Sequence, residues 1–411
     1  MPAWNIVLLL ISTASSVSAG ADGARVDRLL KDLDTKDSEV RLKVIEELAE
    51  LGPLAAKAAP ALADFLDQPD EDLRLNSAIA LGKIGKEAVA PVLKLVESRN
   101  ADTRSHALAA LGWIGPAAER AQPQVLKAVE DKDESVRAKA AFALGRIGAD
   151  PKKAIRPLLK LLTEKSPAVR LSAGDALGRF KAAAVPDLIA ALQDDWVTIR
   201  LEAAKALGQI GPDAKDAVEK FRPAILDAND ELADEALRAL VKIGPAAVKT
   251  YREALESDKG TARQRALRVL ETSGAKGAPF LAEALAAKTV EARREAARLA
   301  AALRLKEEVL VAPLSVAVTD KDRDVRLRSL HALAPLAVGA RAAVPAVLEA
   351  LKEKDMEIRV AALELLREIP EESKAIVRAV QPLLRDENET IRRLAAEVLA
   401  FQSKRDLEKS R

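Results

Sequence analysis

Apolar side chains recur along this chain in a stripe with helical spacing. In the stretch DESVRAKAAFALGRIG, Asp133 to Gly148, the residues Val136, Ala140, Ala141, Leu144 and Ile147 share one face, with Asp133 as a start signal and Gly148 as a stop. The pattern predicts an N-capped amphipathic helix, and it recurs twelve times. With Arg137 as the ruler, the equivalent anchors are Arg41, Arg74, Arg104, Arg137, Arg170, Arg200, Ala233, Arg263, Arg293, Arg326, Arg359 and Arg392, always 30 or 33 residues apart. Seven residues beyond each anchor stands a leucine, or alanine once at Ala300. A period of this size marks a solenoid and overrides the two or three globular domains that length alone would suggest.

After each glycine stop a second apolar segment follows, as in PALADFL (Pro60 to Leu66), PVLKLV (Pro91 to Val96), RPLLKLL (Arg156 to Leu162) and PAVLEAL (Pro345 to Leu351). Proline is at home in a first helical turn, where the N–H it lacks would have no partner. Each repeat is therefore a first helix, A, then a second, B, and an Asp-rich turn into the next A. Four residues before the anchors stand Asp37, Asp70, Asn100, Asp133, Ser166, Trp196, Asn229, Lys259, Thr289, Asp322, Asp355 and Asn388, of which all but Trp196 and Lys259 suit an N-cap. Three residues after the anchors the side chain is Ala nine times, Ser twice and Val once, which marks a seam where another helix presses close. Eight residues before them the B helices carry an apolar row that includes Leu66, Val96, Val129, Leu162, Leu192, Leu255, Leu285 and Leu351. No single pair hides both stripes, so each repeat needs its neighbours.

The ends and one interior stretch depart from the pattern. Residues 1–19 carry an apolar run from Ile6 to Ile11, then a small-residue run ending in Val17, Ser18 and Ala19, and read as a secretory signal, although no Lys or Arg precedes the apolar run. Export to the periplasm or the extracellular space is the expectation. The solenoid then spans 22–402 as one domain, opened by a capping helix over 25–33 and closed by a polar tail, 403–411. Between 229 and 305 the copies are weakest: Ala233 replaces the anchor, Lys259 the cap, and Gly260, Gly274 and Gly277 intervene. A softer joint is expected there.

Composition changes the picture in three ways. Aromatics make up only 2% of residues, which suits thin layers of closely packed helices. The net charge of +2 supplies no global attraction to nucleic acid or to an anionic membrane. Cysteine is absent, which removes disulfides, thiolate catalysis and cysteine zinc sites without deciding the compartment.

The helical pair, the D-x-x-x-R opening of helix A, the LGxIG endings (Leu81 to Gly85, Leu111 to Gly115, Leu144 to Gly148, Leu207 to Gly211) and the Pro early in helix B resemble HEAT repeats. The subtype is similar to the short bacterial kind found also in phycobilin lyases. The resemblance implies an all-α, right-handed α-solenoid of about twelve helical pairs, with B helices lining the concave side and A helices the convex side. It also implies that the signature Asp and Arg, here Asp133 with Arg137 and Asp322 with Arg326, form a polar ladder between repeats.

Some HEAT proteins are iron enzymes built on His-Glu pairs, and this chain has two histidines, His106 and His331, neither followed by Glu and counted seven repeats apart. They read as solvated surface residues. The uniform intervals leave no insertion to house an active site, so no catalytic residue, metal or cofactor is expected. Ten residues before the anchors, on the exposed side of helix B, stand Lys94, Lys127 and Lys160 in successive repeats, followed later by Glu283 and Glu349. The expectation is a non-enzymatic scaffold that holds a protein or an extended peptide along that face, with these five residues as its contacts. Nucleic acid is not expected, because aromatics for base stacking are missing, nor is a membrane contact beyond the signal. The competing reading is an accessory, lyase-like factor that handles a small molecule.

Overall fold

The computed structural model describes residues 22–257, 260–369 and 374–409, with side chains through Gln402. The expected signal at 1–19 and the cap position Lys259 lie outside these residues. Every regular element among the described residues is helical. The chain divides into two compact units, one ending at Ile210 and one beginning at Gly211.

The first unit opens with a helix over residues 22–32, whose Val26 and Leu29, with Leu33 just beyond, are buried as a capping helix requires. Six A helices follow: Ser38–Leu51, Glu71–Ile84, Ala101–Ile114, Glu134–Leu144, Pro167–Arg179 and Val197–Ile210. Between them run short B helices such as Ala59–Phe65, Val89–Leu95, Gln122–Ala128 and Pro151–Leu161. The second unit repeats the plan, with A helices Asp230–Ile243, Gly260–Ser273, Val290–Leu303, Arg323–Leu333, Met356–Glu368 and Glu389–Lys409. The last helix carries on through Lys409, so the backbone of the expected polar tail is helical as far as that residue.

The seam expected from small residues is where the A helices meet. Ser77, Ala107, Ala140, Ala173, Ala203, Ala236, Ala266, Ala296, Ser329, Ala362 and Ala395 are all fully buried. In the first unit this closeness extends to glycine: a Cβ on Gly112 would lie 2.5 Å from Phe142 Cε1, and one on Gly145 would lie 2.7 Å from the Cα of Ala176. The leucines seven residues past the anchors, apart from half-buried Leu399, form the inner core, with Leu144 and Leu207 at 0% exposure. In the second unit Tyr251 and Phe280 supply bulk, their rings 4.9 Å apart and the Tyr251 hydroxyl donating to Ala266 O at 2.7 Å.

Three local expectations are modified. The A-to-B connection is not a simple turn but a 3-10 segment, as at Gly52–Ala58, Gly115–Ala121 and Gly211–Phe221, which tightens the chain before B begins. Where the stop glycine takes φ = 84° at Gly85, its N–H still reaches Leu81 O at 3.1 Å, a left-handed exit that L side chains resist. In the stretch used as the ruler, the α-helix ends at Leu144 and the N–H groups of Arg146 and Ile147 both turn to Ala143 O. Finally, Ser166 and Thr289 hold the extended cap backbone without a side-chain bond. Asp37, Asp70, Asn100, Asp133, Asn229, Asp322, Asp355 and Asn388 make the bond.

Candidate protein-binding face and the ladder beneath it

Lys94, Lys127 and Lys160 stand exposed on three successive B helices of the first unit, as their register demands. They are not a bare cationic strip. Lys127 Nζ lies 3.2 Å from Glu97 Oε1 and Lys160 Nζ 3.3 Å from Glu130 Oε1, each lysine answering an acid one repeat earlier. These side chains are 63–79% exposed, so water screens the pairs and each contributes at most about 1 kcal/mol. Lys94 has no ion pair among the described residues. In the second unit Glu283, half-buried, is bound by Arg252 of the preceding repeat, and exposed Glu349 pairs with Lys352 at 2.6 Å. Glu283 and Glu349 are two repeats apart, with Val316, 74% exposed, in the row between them.

A second, deeper polar row runs along the B-to-A turns and is built by the anchor arginines. Arg104 Nη1 donates to the carbonyls of Ser98 (2.9 Å) and Arg99 (3.2 Å), closing the turn of its own repeat. The rest of the guanidinium reaches forward: Nε and Nη2 grip both oxygens of Asp131 at 2.8 and 2.7 Å. The same double duty recurs in Arg137, bonded to Asp131 O, Lys132 O and Glu164, and in Arg326, bonded to Asp320 O, Lys321 O and Glu353. Arg293 pairs likewise with Asp320 and Arg359 with Asp386.

The ladder therefore exists, but its acid is not the signature aspartate. Asp133 receives the N–H groups of Ser135 and Val136 and is spent on its own helix. Asp322 caps Val325 and meets Arg294, not Arg326. The partner acid stands six residues before the next anchor, because the guanidinium that closes one turn projects toward the adjacent turn and not back over its own helix start. That acid is doubly employed: Asp131 also accepts from Asp133 N–H at 2.9 Å. Burial pushes its carboxyl up, but the Arg104 bond, the Asp133 N–H and the Arg104 charge outweigh this and hold it below the ordinary range. Where Ala233 leaves a gap, Arg265 of the following repeat reaches back to Asp227 O and Asp230.

His331 is exposed, and His106 is half-buried with Nδ1 2.8 Å from Asp102 O, the carbonyl one helical turn earlier. Among the described residues no three His, Asp or Glu converge as a metal site, and no helix is long and apolar enough to cross a membrane.

Helical pairs stacked so that each buries its neighbour's seam define an α-solenoid array. The profile of HEAT repeats matches residues 26–98, 93–165, 155–240 and 311–400, and the chain belongs to that family. Among solved structures, the karyopherin Kap121p bound to the SUMO protease Ulp1p is similar at 12% identity and TM-score 0.51, over 93% of this chain and 49% of that one. Kap121p bound to Ste12p gives 13% identity and TM-score 0.50 over the same shares. An engineered protein matches at 23% identity over 92% of this chain and 98% of its own, with TM-score 0.33. The chain spans about half the length of Kap121p, and the likeness concerns the fold alone. No curated protein sequence matches this chain.

Proposed function

We propose that this protein is an exported, non-enzymatic scaffold that holds a protein segment along its B-helix face, with Lys94, Lys127 and Lys160 as principal contacts in the first unit and Glu283 and Glu349 in the second. One observation carries the reading: Lys94, Lys127, Lys160 and Glu349 on the B face are exposed and unpaired or weakly paired, whereas the ladder arginines Arg104, Arg137 and Arg326 are largely buried and each bonded both to its own turn and to the next acid. That exposed row can exchange its partners at less cost than the ladder can. The fold is also one that holds bound protein in the Kap121p structures.

The test is capture of a partner from the native compartment by wild type and by a Lys94→Glu, Lys127→Glu, Lys160→Glu variant. The variant is expected to keep its helical signal and lose the partner, and wild-type capture should fade with salt, since exposed charges are screened beyond about 10 Å at 0.1 M. The control is Lys139→Glu on helix A; Lys205 is unsuitable because it is half-buried against Glu202 at 3.1 Å. Equal capture by all forms would move the binding surface elsewhere, and a melting shift with a free bilin would instead favour a pigment-handling accessory role. Export predicts a mature chain beginning at Gly20 or within the small-residue run beside it; an intact Met1 on the functional protein refutes it.

A further inference from the structure

Unpaired cations of the first unit also stand away from the B face. Five residues before the anchor, in three successive turns, stand Arg99, Lys132 and Lys165, all exposed and none ion-paired among the described residues. Their backbone is fixed in the same way at every rung. The carbonyl of Arg99 accepts from Arg104, that of Lys132 from Arg137 and that of Lys165 from Arg170, at 3.2, 3.1 and 2.8 Å. Pro69 and Asp195 occupy the flanking positions, so the row has three rungs and definite ends. The second unit has a row of the same register in Lys288, Lys321 and Lys354, all exposed.

Between the first two rungs lies a cleft of about 640 Å³ that Arg99 and Lys132 line, together with three acids, Glu97, Glu130 and Asp131, whose charges Lys127, Lys160 and Arg104 already answer.

We propose that the turn edge of the first unit is a docking surface, distinct from the B-helix face, for an acidic peptide in the polyproline II conformation with a carboxylate at every third residue. Neighbouring helices pack about 8–10 Å apart, and a polyproline II chain, with three residues per turn and a rise of about 3.1 Å per residue, returns each third side chain to one face about 9 Å further on. Three peptide residues thus span one repeat, and carboxylates at that interval meet Arg99, Lys132 and Lys165 in turn. The peptide backbone passes over the cleft. A nucleic acid does not fit this edge. Duplex DNA carries a charge about every 1.7 Å, far denser than rungs one repeat apart, and no aromatic stands on the row to stack a base.

The experiment uses the full chain and fluorescein-labelled peptides of roughly nine residues, a length set by three rungs at about three residues each. One peptide has Glu at every third position among Ser and Thr, and its isomer has the same glutamates side by side. An oligothymidylate of similar length is the third probe. By anisotropy at low salt the spaced peptide should bind several-fold tighter than its isomer and tighter than the oligothymidylate. Arg99→Gln, Lys132→Gln, Lys165→Gln should weaken it about tenfold, at a factor of about two per exposed charge contact, with unchanged far-UV dichroism. Lys132→Gln alone gives a milder change should the triple variant fold poorly. Equal binding of the isomers, tighter binding of the oligothymidylate, or indifference to both variants overturns the proposal. Loss of the peptide in Lys94→Gln, Lys127→Gln, Lys160→Gln alone also overturns it, while leaving the B-face reading in place.

Discussion

Arg104→Met tests the ladder most directly. Methionine keeps the apolar stem but removes all four bonds of the guanidinium, two to the carbonyls of Ser98 and Arg99 and two to Asp131. Arg104 and Asp131 side chains are only 9% and 15% exposed, so the abandoned carboxylate is poorly solvated. Breaking a buried pair from one side costs about 3–5 kcal/mol. The Asp133 N–H still reaches Asp131 and water has access at the turn, which places the expected loss at about 3 kcal/mol. Asp131→Asn keeps an acceptor for that N–H and should cost about 1.5 kcal/mol. The double variant should lose less than the sum, with a coupling of about 1.5 kcal/mol, because each single change already forfeits the shared bonds.

Acid supplies a second readout. The folded Asp131 carboxyl sits below its unfolded value of about 3.9, so the pair contributes fully above that pH and its contribution disappears as pH falls through the lower, folded value. The gap between wild type and Arg104→Met should therefore narrow in strong acid. Urea unfolding by circular dichroism at neutral and acid pH measures this, and hydrogen exchange at the Val96–Arg104 turn keeps the result interpretable if repeats unfold separately. Additive single effects, or a gap that does not change with pH, would refute the ladder as a coupled device.

Leu144→Ala and Leu207→Ala should each cost about 2–5 kcal/mol by urea unfolding, while exposed His331→Ala stays within about 0.5 kcal/mol. Gly145→Ala should destabilise more than Gly112→Ala, since the new methyl meets backbone at Ala176 in one case and chiefly a movable Phe142 ring in the other; equal melting temperatures would contradict the packing. The Asp322 carboxyl, lowered to about 2 mainly by its Arg294 hydrogen bond, should titrate there by NMR and move up toward the ordinary range in Arg294→Gln.

The repeating helix and its faces were legible because burial imposes a pattern at fixed offsets: the small residues of the seam and the leucines of the core can be read by counting from the anchors. The ladder's acid was not found although its signal is present. Asp131, Glu164, Asp194, Asp227, Asp320, Glu353 and Asp386 recur six residues before an anchor, but the signature Asp drew attention to the cap two residues later. The ion pairs that quench the B-face lysines were hidden for another reason. Glu97 and Lys127 are thirty residues apart and meet only once the stacking of repeats is known. The 3-10 segments likewise arise where A must be brought back onto B, a demand of packing that propensity along Gly115–Ala121 does not announce.

Because each ladder rung fastens a repeat only to its successor, the chain should behave under tension as a row of catches released in order from an end. The catch between Arg359 and Asp386 joins the last two repeats. Pulled from the C-terminus, the chain should pay out in increments of one repeat, 30 or 33 residues, each lengthening it by about 100 Å at the reach of an extended backbone. The recoil of such a chain would be stepwise too, each returning pair finding the exposed seam of the one still in place as its template.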